Sequence, residues 1–387
     1  MSKKIKVSKR FFSNLKTATF LSRRNRFVVH IKVGAKKTFA SLPNSGKLGE
    51  LLIPGVKLLI HHPWTATPKY RYKVAGVLAG KEPVMLDTHI TNDVVEFLLC
   101  NTMVPGLKGA TILKREFTAG KSRFDFLLER RGKKILCEVK SCTLFSGQIG
   151  MFPDAITARG ARHVRELAEL KENGYLSAVI FLIQSPHVTT FLPDYHTDIE
   201  FAKVLYEVRN DIKIIPLSIG WTSKLEPVLP VKKLTVPWHI VKREAKDAGC
   251  YIIVLHLERK KRITIGKIGA IDFPGGFYCY VGSAKKNLAK RIERHKRVRK
   301  NNHWHIDYLR NRSTFLSAYP IRTADDIECE LADAVSVISN QSIRGFGCSD
   351  CNCQSHLFYF SSDPRITEVF QNVLLKFRID RISKLIH

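Results

Sequence analysis

Long hydrophobic runs are missing from this chain of 387 residues. No apolar stretch approaches the ~18 to 20 residues that a membrane-spanning helix needs, and the basic N-terminus lacks the hydrophobic core of a signal peptide. A paired disulfide framework is missing as well, since the nine cysteines are odd in number and three of them crowd into residues 348–353. We therefore expect a cytoplasmic protein without a membrane partner.

Acidic residues are scarce and unevenly placed. The chain has 34 Asp and Glu against 64 Lys and Arg, and the first 49 residues carry 13 of those basic residues and no acid. Residues 285–300 add nine Lys and Arg, opposed only by Glu293. Grouped positive charge, here part of a formal net charge of +30, attracts polyanions. We expect a nucleic-acid partner, DNA first; RNA and a merely solvated cationic surface are the alternatives.

The spacing of apolar and turn residues indicates several domains. With 44% hydrophobic residues, a chain of this length can bury two or three cores. Residues 12–85 contain short strand-like runs broken by glycine and proline, which favour a small β-barrel. From Asp87 onward, a helix capped by Thr91-Asn92 and further helical runs alternate with strand-like runs, and this alternation favours an α/β fold.

One stretch, residues 123–140, predicts a β-hairpin. Two runs of aromatic, aliphatic and β-branched residues flank a charged turn, which we centre on Arg131 and Gly132. This register predicts three facing pairs on one apolar face: Phe124 with Val139, Phe126 with Cys137, and Leu128 with Ile135.

On the other face the same register places Asp125 opposite Glu138, with Lys140 two positions further along. Two neighbouring carboxylates repel unless a cation lies between them, which favours a hard divalent metal such as Mg²⁺ or Mn²⁺. Lys140 can orient or deprotonate a water, or offset charge that develops on phosphorus. The alternative is an ordinary amphipathic hairpin whose outer face carries a weak surface ion pair.

The segments around this hairpin resemble those of a known family. They include residues 122–129, Glu138-Val139-Lys140-Ser141, Phe152-Pro153-Asp154-Ala155, Arg159-Gly160 and residues 163–167. The pattern, which extends from about residue 12 to about residue 220, resembles the sugar fermentation stimulation protein A family. The resemblance implies an N-terminal OB-like barrel and a PD-(D/E)XK-like nuclease domain with Asp125, Glu138 and Lys140 on its signature positions. It also implies DNA binding.

Basic residues on these segments are candidate nucleic-acid contacts. The candidates are Arg123, Arg159, Arg162 and His163. The last three fall on a helix predicted over residues 158–170, where facing a phosphate and belonging to a solvated helix face are both open. On the first helix, Glu96 is either an additional metal ligand or a plain surface glutamate.

A second pattern follows in the C-terminal part. Gly249-Cys250-Tyr251 begins one strand, Tyr280-Val281-Gly282 lies at the end of another, and residues 303–309 and 345–351 follow. Over about residues 247–362 this resembles a GIY-YIG nuclease domain of a branch with a long insertion between the two halves of the motif.

The resemblance implies catalytic roles for four residues. A tyrosine hydroxyl can relay a proton, an arginine can balance charge on the scissile phosphate, and a glutamate can hold one Mg²⁺. The matching positions are Tyr251, Tyr280, Arg291 and Glu328, with Glu330 as the alternative glutamate and His295 as a nearby nucleic-acid contact. Because the insertion is long, retention of the fold and of DNA binding without cleavage is an open alternative.

A cysteine-rich segment lies near the end of this region. Cys348, Cys351, Cys353 and His356 could bind Zn²⁺ tetrahedrally, with Cys329 as a substitute for one ligand. The spacing of the last two cysteines is cramped for a single ion, so reduced, buried cysteines are the favoured alternative.

Together these patterns predict a multidomain α/β and β protein. The expected order is an OB-like domain (1–85), a PD-(D/E)XK-like domain (86–225), a proline-rich linker (226–246), a GIY-YIG-like domain (247–362) and a C-terminal amphipathic helix (363–387). The expected function is a DNA-binding, divalent-metal-dependent endonuclease that hydrolyses phosphodiester bonds. The alternative is a non-catalytic DNA-binding regulatory protein with vestigial nuclease folds. A homodimer that cuts both strands stays open.

Overall fold

The structure, a computed structural model, describes residues 9–63, 69–80, 82–298, 301–348 and 351–386, except for the side chain of Lys267. Its described residues up to Asp194, together with Glu200–Trp238, form one compact unit. Tyr195–Ile199 and the described residues from His239 onward form a second unit. Within the described ranges, no helix is long and apolar enough to span a membrane.

The first unit begins with a closed β-barrel, as predicted. Its strands, and a sixth that extends the sheet, are β1 (Lys16–Asn25), β2 (Val28–Val33), β3 (Lys36–Ser41), β4 (Lys57–His61), β5 (Tyr72–Ala79) and β6 (Glu82–Met85). Strands β1 to β5 follow the order β3-β2-β1-β4-β5, and the barrel closes because β3 and β5 pair in parallel. Alternate side chains fill the interior, where Ile31, Leu58 and Val74 are fully buried.

A mixed α/β domain completes the first unit. Its elements are α1 (Thr91–Cys100), β7 (Thr111–Ala119), β8 (Ser122–Arg130), β9 (Lys133–Cys142), β10 (Leu144–Ser146), β11 (Ile149–Phe152), α2 (Ala158–Glu169), β12 (Leu176–Ile183), β13 (Thr190–Pro193), α3 (Ile199–Glu207), β14 (Lys213–Trp221) and β15 (Pro227–Lys233). The main sheet has the order β15-β14-β12-β9-β8-β7. Helix α1 packs on one face of this sheet, and α2 and α3 pack on the other.

The barrel and the α/β domain share one hydrophobic core. Leu59, Ala75 and Met85 from the barrel pack in the same cluster as Val94 and Leu98 from α1. A polar contact joins them as well, since the Leu48 N–H donates to Asp154 Oδ2 at 3.4 Å.

The segment predicted to be a linker, residues 226–246, is instead largely regular structure. Strand β15 pairs with β14 at the edge of the main sheet, and α4 (Trp238–Glu244) follows it. The prolines had favoured a linker, and this was wrong. Proline cannot donate a hydrogen bond to the ladder, but an edge strand such as β15 tolerates it. Val231 on β15 is 7% exposed and belongs to the shared core.

The remaining elements build an antiparallel sheet in the second unit. They are β16 (Gly249–Leu257), β17 (Lys261–Ile265), β18 (Gly269–Phe273), β19 (Gly276–Ala284), α5 (Leu288–Lys296), α6 (His305–Arg310), β20 (Thr314–Arg322), α7 (Glu328–Val337), β21 (Gln341–Ser342), β22 (Leu357–Phe360) and α8 (Glu368–Arg378). The sheet order is β20-β16-β19-β22-β21. Strands β17 and β18 pair as a separate hairpin, so the insertion between the two halves of the motif contains this hairpin.

The C-terminal helix is shorter than predicted. Helix α8 ends at Arg378 and a 3₁₀ segment, Asp380–Leu385, follows it. Phe370 and Phe377 on α8 are buried in one apolar cluster with residues of β16 and β19, whereas Val369 is 53% exposed.

Candidate active sites

The first candidate site is built on the predicted hairpin, whose turn is confirmed. Arg131 and Gly132 both have positive φ, 52° and 73°, as a two-residue turn between twisted strands requires. Strand β8 pairs with β9 in the expected register, from Arg130–Lys133 to Phe126–Cys137.

The ladder between β8 and β9 ends at the Phe126–Cys137 pair, and the residues of the site lie beyond this point. The Val139 N–H donates to Asp125 Oδ2 at 2.7 Å instead of to a strand carbonyl. Strict alternation predicted that Phe124 faces Val139 on the same apolar face as Phe126, and this was wrong. Phe124 packs on the α2 side of the sheet, with its ring 5.8 Å from that of His163.

Glu138 lies buried at the centre of the site, with 4% of its surface exposed. Its Oε1 accepts hydrogen bonds from Lys140 Nζ at 2.5 Å and from His163 Nδ1 at 2.9 Å. Its Oε2 is buried without a hydrogen-bond partner among the described residues. A buried carboxylate oxygen in this position is costly unless a ligand satisfies it.

Asp125 and Glu138 have pKa values displaced in opposite directions. Burial, and then the charge of Glu138, raise the pKa of Asp125 to about 6. Burial also opposes ionisation of Glu138, but the charge of Lys140 and the hydrogen bonds from His163 and Lys140 outweigh it and lower the pKa of Glu138. Asp125 feels the charge of Glu138 and Lys140 binds Glu138, so the two carboxylates and the lysine lie close together in the structure.

Asn92 is a member of this site that the sequence analysis missed. Its Nδ2 donates to Asp125 Oδ1 at 2.7 Å. Thr91-Asn92 had been predicted to cap the first helix, but α1 begins at Thr91 and has no side-chain cap. Glu96, one turn further on, pairs with Arg115 at 2.9 Å and lies outside the site.

The predicted nucleic-acid contacts of this domain divide into buried and exposed residues. His163 is 2% exposed and holds Glu138 rather than facing solvent. The Arg159 Nε–H donates to His163 Nε2 at 3.2 Å, so Nδ1 carries the proton that His163 donates to Glu138. Arg162 is exposed on α2, and Arg123 is exposed and pairs with Glu116 at 2.9 Å.

The second candidate site is a cavity of about 210 Å³ in the second unit. All four predicted catalytic residues line it, together with Ser283 and Trp304: these four are Tyr251, Tyr280, Arg291 and Glu328. The alternative glutamate, Glu330, is exposed on α7 and does not line it. The geometry therefore favours Glu328.

Close packing and hydrogen bonds hold the cavity residues in place. Tyr251 on β16 faces Gly282 on β19, and a Cβ at Gly282 would lie only 2.5 Å from the Tyr251 hydroxyl. Arg291 Nη1 donates to the Ser283 carbonyl at 2.8 Å, and the Ser283 hydroxyl donates to Glu328 Oε2 at 2.5 Å. The short distance at Gly282 explains why a glycine stands opposite Tyr251.

His295 is buried behind Tyr251 and is not a surface contact. It is 2% exposed, and its Nε2 lies 2.9 Å from the Tyr251 hydroxyl, while its Nδ1 lies 3.9 Å from Asp307 Oδ1. Burial, and then the nearby Tyr280, raise the pKa of Tyr251 well above its ordinary value. Tyr251 is therefore a neutral hydroxyl that can exchange a proton only through its hydrogen bonds.

Two further features of this cavity concern Glu328 and Trp304. Burial opposes ionisation of Glu328, but hydrogen bonds from His356 and Ser283 outweigh it and lower its pKa. Trp304, which the sequence analysis gave no role, carries the guanidinium of Arg291 at 4.9 Å and that of Arg294 at 4.2 Å over its ring.

In the cysteine-rich cluster, Cys329, which was predicted as a substitute ligand, takes the place of Cys348. Cys329, Cys351, Cys353 and His356 bring their ligand atoms within 4.8 Å of one another. Cys348 is not in this group; its Sγ lies 3.7 Å from the Gln354 carbonyl. The alternative of buried thiols is not met either, because Cys329 is exposed and Cys351 and Cys353 are only half-buried.

A closed barrel of OB type followed by two α/β domains defines the class of this multidomain protein. Family models match all three parts: the SfsA N-terminal OB domain over residues 21–86, the sugar fermentation stimulation protein RE domain over 89–224, and the domain of unknown function DUF123 over 250–379. The last of these is GIY-YIG-like.

Known proteins align with the first unit. The sugar fermentation stimulation protein homolog of Clostridium botulinum (strain Langeland) is 38% identical over 193 residues, covering 50% of this chain and 84% of that protein. The homolog of Methanothermobacter thermautotrophicus is 33% identical over 223 residues, covering 57% of this chain and 92% of that protein. The chain belongs to the sugar fermentation stimulation protein family.

A solved structure supports the same assignment. The structure of Pyrococcus furiosus SfsA in complex with Ca²⁺ matches with a TM-score of 0.54 and 30% sequence identity. The match covers 58% of this chain and 96% of that one. The fold of the first unit and the predicted resemblance are thus confirmed.

Proposed function

We propose that the protein is a DNA-binding, divalent-metal-dependent nuclease that hydrolyses phosphodiester bonds at Asp125, Glu138 and Lys140. The observation that carries the proposal is the buried Glu138 Oε2, which has no hydrogen-bond partner among the described residues. Glu138 also repels a second carboxylate, Asp125, and binds Lys140 through its Oε1. Such a donor set is suited to a hard cation with oxygen ligands. The relative from Pyrococcus furiosus was solved in complex with Ca²⁺, an ion of that kind.

Asp125 and Glu138 would hold the metal, for which Mg²⁺ and Mn²⁺ are the candidates. When bound, the ion supplies positive charge that stabilises the negative charge developing on the phosphate. Asn92 and the Val139 N–H keep Asp125 oriented, and His163 does the same for Glu138.

Lys140 supplies the remaining function at this site. Its ammonium group has three N–H donors, of which one binds Glu138 Oε1. The other two can orient a water for attack or neutralise a phosphate oxygen. With 19% of its side chain exposed, Lys140 can reach a substrate while it stays paired.

Cleavage assays with purified protein test this proposal. Single-stranded, duplex and branched DNA and a matched RNA are incubated with Mg²⁺, Mn²⁺ or EDTA. We expect cleavage with either metal, none with EDTA, and a large loss of cleavage with retained binding in Asp125→Ala. Glu129→Ala, on the exposed part of the same strand, is the matched control and should cleave normally.

If the wild-type protein binds DNA but cuts none of these substrates with either metal, the hydrolytic proposal is wrong. The protein would then act through binding alone, as a DNA-binding regulatory protein.

We propose a second hydrolytic site in the C-terminal domain, because its four predicted residues share one cavity. Tyr251 would exchange a proton with its neighbours, Arg291 would contact the phosphate, and Glu328 would hold a divalent metal. A residual metal-dependent activity in Asp125→Ala that disappears on adding Arg291→Ala is the expected signature. An identical residual activity in both variants would contradict it.

A further inference from the structure

The loop that precedes β22 brings two cysteines and a histidine against a cysteine from α7. Cys351, Cys353 and His356 come from the loop, and Cys329 is the second residue of the helix. Any two of the four ligand atoms lie within 4.8 Å of each other. Ligands about 2.0 to 2.3 Å from a tetrahedral zinc are roughly 3.3 to 3.8 Å apart. The Cys351 Sγ to His356 Nε2 distance, 3.4 Å, already falls in that range.

The chemistry of the donors identifies the ion. Three thiols and one imidazole are the ligand set of a closed structural zinc site, whereas magnesium and calcium prefer oxygen. Cys351 and Cys353 remain one residue apart in the chain, but Cys329 replaces Cys348 and comes from a separate element, and the four ligand atoms still lie close enough together to share one ion. We propose that Cys329, Cys351, Cys353 and His356 bind a structural Zn²⁺.

The site also lies directly behind the second candidate active site. His356 Nε2 faces the thiols, while its Nδ1 lies 3.3 Å from Glu328 Oε1. A metal-bound histidine commonly donates a hydrogen bond from its other ring N–H to a carboxylate, which fixes the orientation of both groups. Glu328 is also the chain neighbour of Cys329. The ion therefore holds Glu328 from two directions and acts as a positioning element for the cavity.

Metal analysis of the full-length protein tests the proposal. The chain is purified under reducing conditions, supplied with Zn²⁺, desalted, and measured for zinc per protein. We expect one tightly held zinc in the wild type and its loss in Cys353→Ser and in Cys329→Ser. Cys348→Ser, three residues from a ligand in the same loop, is the matched control and should keep the zinc.

Substitution with Co²⁺ keeps the test independent of whether a variant folds. The wild-type protein should show thiolate-to-cobalt charge-transfer absorption and the intense d–d bands of tetrahedral cobalt. His356→Ala should shift the d–d bands, and Glu328→Gln should leave the zinc content unchanged.

Two results overturn the assignment. One is a reduced wild-type protein that binds neither Zn²⁺ nor Co²⁺. The other is loss of zinc in Cys348→Ser while Cys329→Ser retains it.

Discussion

At the scale of the residue, both candidate sites depend on a buried histidine. His163 holds Glu138 and His295 holds the Tyr251 hydroxyl. Both were predicted to contact nucleic acid, and both lie on a buried helix face instead. Helical periodicity contained the signal: His295 lies three residues after buried Ile292, and His163 lies four residues before buried Leu167.

Replacing His163 should weaken the metal site rather than DNA binding. In His163→Ala, Glu138 loses one of its two partners, and we expect a 10- to 100-fold loss of Mn²⁺ affinity, typical of groups that orient ligands. Arg162→Ala, on the exposed face of the same helix, should leave Mn²⁺ affinity unchanged. Isothermal titration calorimetry measures both; equal affinities in the two variants would show that His163 has no role at the metal.

The raised pKa of Asp125 should make the metal-free protein less stable at higher pH. An unfolded aspartate titrates near 4, whereas Asp125 in the fold titrates at about 6, so the folded state binds the proton more tightly. This contribution to stability is complete below about pH 4 and is lost as the pH rises through about 6. A displacement of this size corresponds to about 3 kcal/mol.

Calorimetric melting in EDTA checks this dependence. The melting temperature of the wild type should fall between about pH 4 and pH 7, and Asp125→Asn should lack this part of the fall. Glu138 acts in the opposite sense, since its pKa is lowered and its contribution to stability disappears on acidification below the ordinary glutamate range. Parallel profiles for the two proteins would refute the assignment to Asp125.

At the scale of the element, local chemistry decided what could be predicted. The β8–β9 turn needs two residues with positive φ, and Arg131-Gly132 revealed both the turn and the register. The position of Phe124 was missed because it depends on where the two strands part. That point is set by the Asp125 side chain binding the Val139 N–H, which periodicity does not encode.

Long-range partners were hard to predict for a similar reason, and Cys329 was named only as a substitute ligand. Cys329 joins the cysteine cluster only because α7 packs near the loop that precedes β22. Asn92 joins Asp125 across 33 positions of the chain. Neither pairing leaves a pattern in the local sequence.

Strand β15 should behave as part of the core and not as a connector. Val231 is 7% exposed, so Val231→Ala should lower the free energy of unfolding by about 1 to 2 kcal/mol. Val228 on the same strand is 47% exposed, and Val228→Ala should change it by less than about 0.5 kcal/mol. Urea unfolding of the two variants measures the difference, and equal stabilities would mean that β15 is dispensable.

At the scale of the whole molecule, charge should dominate the encounter with nucleic acid. With a formal charge of +30, binding should release many counterions. We expect affinity for duplex DNA to fall on the order of 10³-fold between about 50 and 200 mM salt, whatever the base sequence. Fluorescence anisotropy with two unrelated duplexes measures this; a salt-independent or strongly sequence-dependent affinity would contradict it.

The core shared by the barrel and the α/β domain limits how the first unit can be divided. In a fragment that ended at Leu86, Leu59, Ala75 and Met85 would lose their partners in α1, and an apolar patch on the barrel would be exposed to water. Such a fragment should aggregate during expression, whereas a fragment extended through β15 retains the apolar partners in the α/β domain. A gene rearrangement that separated the two parts would expose the same apolar surface, so the barrel and the α/β domain are expected to be inherited together.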